Sequence, residues 1–111
     1  MTKFLLIQHQ AAMGSWTPAA VRRHFDYQRD LDAELAAAGE LVEVQGLGGR
    51  AHLVAGDAAP GEALPELAGY RIVDVESEER ALQIAARASA APGPDGVPLR
   101  QPIDVRRLLT L

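Results

Sequence analysis

Apolar and polar positions along this chain switch between a period near two and a period near 3.6, and the switches mark the elements. Residues 3–9 (KFLLIQH) carry Phe4 and Leu6 on one alternating face and Leu5 and Ile7 on the other. A strand covered on both sides has this pattern. Residues 10–15 form a loop. Thr17-Pro18 then opens a long helix, with Thr17 as N-cap and Pro18 at the first helical position. The helix is expected to run to Ala38 and to stop at Gly39, which tolerates a left-handed C-terminal residue. At about 100° per residue, Val21, Phe25, Leu31, Leu35 and Ala38 gather on one side. Arg22, Arg23, Asp26, Arg29, Asp30 and Glu34 gather opposite.

A second strand is predicted over residues 41–47 (LVEVQGL) and a short one over 51–55. Residues 56–65 (GDAAPGEALP) read as loop by composition. The architecture is organised by residues 67–94. Residues 70–75 are a β-rich run opened by Gly69. Ser77 is the N-cap of a second helix whose first turn holds Glu78 and Glu79, where the helix dipole favours negative charge. Leu82, Ala85, Ala86 and Ser89 recur at helical spacing. Pro92-Gly93-Pro94 ends that helix, because proline lacks the N–H and clashes with the preceding turn. A proline-rich and glycine-rich loop leads to a last strand over residues 102–108.

The order β-α-β-(short β)-β-α-β predicts an α+β fold of the ferredoxin-like plait type, a single domain over residues 1–111. The strands over 3–9 and 70–75 are apolar on both faces, and two helices cover only one. A second copy of the chain is the simplest cover for the other, so a homodimer with sheets packed face to face is expected.

Composition narrows the function. The chain of 111 residues has net charge −4 and an estimated pI of 5.3. That argues against a general nucleic-acid binder, which needs a basic face, and leaves room only for a local basic patch. No cysteine is present, so disulfides, thiolate catalysis and zinc-thiolate sites are ruled out. No apolar run approaches the ~20 residues that span a bilayer, and the N-terminal apolar run is too short for a signal peptide. A cytoplasmic protein without membrane association is expected.

Candidate chemistry sits on the long helix. His24, Gln28 and Asp32 are spaced i, i+4, i+8 and form one stripe inside the apolar side. Polar groups there must find partners or face a cavity. One reading is a pocket in which His24 acts as general acid or base, with Asp32 as its carboxylate and Gln28 as a ligand contact. His24 and Asp32 lie two turns apart, about 12 Å along the axis, so Gln28 or a ligand must bridge them. The other reading is a wet seam satisfied by the sheet edge, a partner subunit or water. His9 and Asp74 are further candidate ligand contacts. Asp74 shares a face with Tyr70 and Ile72, and either pairs with Arg71 or Arg106 or points into the cavity beside His24. The three histidines, His9, His24 and His52, show no tight ligand spacing, so neither a metal nor another cofactor is expected. The glycines of GLGG (46–49) lack the setting of a phosphate cradle.

Residues 67–106 (LAGYRIVDVESEERALQIAARASAAPGPDGVPLRQPIDVR) resemble the YciI-like, or YCII-related, family. The opening KFLLI, the SWTP segment and VRRHFDYQRDLDAELAAAGELVEVQGL (21–47) extend the likeness over nearly the whole chain. The branch it is most similar to is named for an Asp-Gly-Pro-Phe tetrapeptide. Residues 48–66 are shorter than that branch's hairpin and contain no such tetrapeptide. The resemblance implies a dimeric α+β barrel, and His24 matches a histidine position of the branch. It implies a regulatory or ligand-binding accessory protein linked to sigma-factor-type transcription control, with a sigma factor and a small molecule as partners. The alternative it implies is a small enzyme of lyase or dehydrochlorinase type using His24.

Overall fold

The computed structural model describes residues 1–10, 15–48, 51–57, 59, 61–62 and 67–109. Among these described residues six strands and two helices follow in the order β1 (Thr2–His9), α1 (Pro18–Ala37), β2 (Leu41–Gly46), β3 (His52–Leu53), β4 (Gly61–Glu62), β5 (Leu67–Val75), α2 (Glu78–Ser89) and β6 (Ile103–Arg107). Four of them form an antiparallel sheet in the order β2-β5-β1-β6, and β3 and β4 pair separately. This is a small α+β protein, compatible with an α+β plait. Among the described residues no helix is long and apolar enough to cross a membrane.

The helix ends follow local chemistry. Thr17 Oγ1 accepts from the Ala20 N–H at 3.1 Å, and Ser77 Oγ accepts from the Arg80 N–H at 3.1 Å. Each satisfies a first-turn donor that has no partner within its helix. At the far end of α1, Gly39 adopts φ 73°. There the Gly39 N–H donates to Ala36 and the Glu40 N–H to Leu35, closing the helix with a paired reverse turn.

Both helices cover the same face of the sheet. Phe4 and Leu6 from β1 and Val73 and Val75 from β5 meet Leu31 and Leu35 of α1 and Ala81, Ile84, Ala85 and Ala88 of α2. The pairings Phe4↔Val73 and Leu6↔Arg71 set that register. Leu5, Ile7, Tyr70, Ile72 and Asp74 lie on the other face and are half-buried.

Three expectations are corrected here. Val21 and Phe25 are exposed rather than part of the core, because they face a cleft and not the packed interior. In α2 the buried positions are Ala81, Ile84, Ala85 and Ala88, whereas Leu82 is 52% exposed and Ala86 and Ser89 lie outside the core. Several small residues of that helix satisfy more than one periodic assignment, and only the docking angle selects among them. Residues 61–62, read as loop, pair with β3 through His52↔Glu62 and Leu53↔Gly61.

Candidate functional site

A cleft of about 510 Å³ lies between α1 and the sheet. Its walls come from α1, from the segment before α1, from β2, from the start of β5 and from the loop before β6. Gly69 forms part of the wall. A Cβ added there would meet the Gln45 carbonyl oxygen at 2.8 Å, so glycine is required for β5 to approach β2 this closely.

The stripe on α1 faces this space. His24, Gln28 and Asp32 all line the cleft. His24 Nδ1 is 3.0 Å from the Pro92 carbonyl oxygen. A carbonyl only accepts, so Nδ1 carries the proton, and in the neutral ring Nε2 keeps its lone pair. The ring is also held edge-on between Trp16 and Phe25, with centroid separations of 5.5 and 5.4 Å. The next residue along the stripe, Gln28, is buried, and its Nε2 donates to the Ala88 carbonyl at 3.3 Å. Tyr27 donates to the Arg87 carbonyl at 2.8 Å. These α1 side chains therefore bond carbonyls at and just beyond the C-terminus of α2, the end of that helix that carries partial negative charge.

Arg71 completes the site. It sits on the inward face of β5, only 2% exposed, and donates through Nε to Asp32 Oδ1 at 2.7 Å and through Nη2 to Gln28 Oε1 at 2.5 Å. A buried guanidinium needs both a countercharge and hydrogen-bond acceptors, and α1 supplies them at i and i+4. Asp32 therefore engages Arg71, and Gln28 joins the stripe to the strand. Gln8 and Gln101 also line the cleft.

His9 and Asp74 lie elsewhere. His9 Nε2 is 2.9 Å from Asp104 Oδ2. Strand alternation puts Asp74 with Tyr70 and Ile72 on the face away from α1, opposite to Arg71. No hydrogen bond joins Asp74 to Arg71 or Arg106 among the described residues, and its Oδ1 is buried without a partner. On the same face Tyr70 donates to Glu43, and that bond to the carboxylate pushes the phenol pKa up. His52 is exposed on β3. Among the described residues no group of His, Cys, Asp or Glu is arranged to hold a metal ion.

Arg71 is the site residue that sequence reasoning did not find. Its signal was parity: Arg71 shares an alternating face with Val73 and Val75, and a charge at an inward position demands a partner. Trp16 and Gln101 gave no such signal, since each comes from a loop that local periodicity does not place. Compared with known proteins, the chain matches no family model and no curated sequence.

Proposed function

We propose that this chain is a YciI-like ligand-binding protein that takes a small organic molecule in the cleft between α1 and the sheet. The fold proposed with it is a ferredoxin-like plait, paired with a second copy through the open sheet face into a dimeric α+β barrel. The observation that carries the reading is the convergence of His24, Gln28, Asp32 and Arg71 on one cleft of about 510 Å³. That volume lies within the range of small-molecule sites, and mixed apolar walls with a few convergent polar groups are their usual lining. Half-buried Leu5, Ile7 and Ile72 on the open face support the pairing of two sheets. The role proposed from the family resemblance is that of an accessory to sigma-factor-type transcription control, with the ligand as its signal.

One observation favours a second reading. The bond from His24 Nδ1 to the Pro92 carbonyl fixes the ring and reserves Nε2 for a proton, as a general base requires. On that reading the protein is a small lyase-type enzyme with His24 as base, while Asp32 acts by neutralising Arg71.

Replacement of His24 by Ala tests both readings. Saturable binding of small organic molecules, followed by calorimetry, should be lost in His24→Ala while the thermal midpoint changes little. Equal loss of binding and stability would assign His24 to holding the end of α2 alone. Sedimentation tests the pairing: a monomer at micromolar concentration overturns the dimer.

A further inference from the structure

The cleft is polar at its floor and partly apolar at its mouth, where Val21 and Phe25 stand beside Arg29. Arg71, Gln28 and Gln101 at the floor are buried, while Val21 and Phe25 at the mouth are exposed, Phe25 at 56%. Its charges do not balance. Among the described residues two guanidinium groups, Arg29 and Arg71, line it against a single carboxylate, Asp32. That carboxylate is already taken by Arg71. One positive charge is left over, in a chain whose net charge is −4.

The unused hydrogen-bonding capacity has the same sign. Arg71 spends Nε on Asp32 and Nη2 on Gln28, and its Nη1 donors have no partner among the described residues. Trp16 Nε1, on the cleft wall, is buried and finds no acceptor among the described residues. Unpaired donors facing a partly apolar space are complemented by an acceptor brought in by a ligand.

We propose, on the ligand-binding reading above, that the ligand is a small monoanionic organic acid. Its carboxylate takes the unpartnered Nη1 side of Arg71 within reach of Arg29, whose charge is the one in excess, and its apolar body lies against Val21 and Phe25. One excess positive charge matches a carboxylate. A phosphate monoester, with nearly two negative charges at neutral pH, is matched less well.

Trp16 is the sole tryptophan of the chain, so its indole N–H gives a single resonance that reports on the cleft. The ¹⁵N-labelled full-length protein is titrated with phenylacetate and, in parallel, with neutral 2-phenylethanol. Phenylacetate should move the indole resonance saturably and bind about tenfold more tightly than the alcohol, the margin of a charge-assisted over a neutral hydrogen bond. Arg29→Gln, an exposed position, should weaken phenylacetate and leave the alcohol unchanged. Equal affinity for the two probes, or no effect of Arg29→Gln, overturns the preference for an acid while ligand binding stands. No saturable shift with either probe overturns the preference and the ligand-binding reading together.

Discussion

Arg71 on β5 and Asp32 on α1, 39 positions apart, meet with Nε donating to Oδ1 at 2.7 Å, and the two ends of the pair are unequally buried. Side-chain exposure is 2% for Arg71 and 21% for Asp32. Removing the carboxylate strands a charge with little access to water, whereas removing the guanidinium leaves a carboxylate that water reaches.

The two single substitutions should therefore differ. Asp32→Ala is expected to cost about 3 kcal/mol, the loss typical of an uncompensated buried charge. Arg71→Met is expected to cost only about 1–2 kcal/mol, because Asp32 is partly solvated and the methionine refills the space. Denaturant unfolding of both variants and of the double variant measures the difference and the coupling. Equal losses would show that Asp32 is not what compensates the buried guanidinium of Arg71.

Glu40 predicts an acid-dependent loss of stability. Arg80 donates to both of its carboxylate oxygens, through Nε at 2.9 Å and Nη2 at 2.8 Å. Those bonds hold the carboxyl below its ordinary value of 4.5, against the opposing effect of burial. The folded pKa thus lies below the unfolded one. The contribution is fully present above the unfolded value and is lost as pH falls through the folded value. Glu40→Gln should lower stability at neutral pH by about 1–2 kcal/mol and flatten the acid limb of stability against pH. An unchanged acid limb would contradict this assignment.

Gly69→Ala should destabilise the sheet beside the cleft. Its Cβ meets backbone, the Gln45 carbonyl oxygen at 2.8 Å, so β2 must move. The expected loss is about 1–3 kcal/mol, the range for overpacking. In a chain of this size that lowers the thermal midpoint by several degrees. A midpoint equal to that of the parent would mean that the β2–β5 spacing is adjustable.

The docked face of α2 is open to direct comparison. Ile84 is fully buried and Leu82 is exposed. Ile84→Ala should cost about 2–4 kcal/mol through the cavity it leaves, and Leu82→Ala about 0.5 kcal/mol or less. Chemical denaturation distinguishes them, and the reverse ranking would place the helix in a different rotation.

Whatever depends on neighbours within a few residues was readable from the amino-acid order. Thr17-Pro18, Gly39 and Ser77 bound the helices because a cap answers to donors and acceptors one turn away. The alignment of His24, Gln28 and Asp32 follows from helical spacing alone, and all three line one cleft. What the stripe faces depended on strand register. The pairing Leu6↔Arg71 brings the guanidinium under α1 and turns Asp74 to the opposite face. The rotation of α2 was likewise a packing outcome, since its alanines offered several nearly equal faces and the sheet accepted one. The cleft itself is the gap left between α1 and the sheet. No run of residues encodes a gap, because it exists only between surfaces that tertiary packing brings near each other and then holds apart.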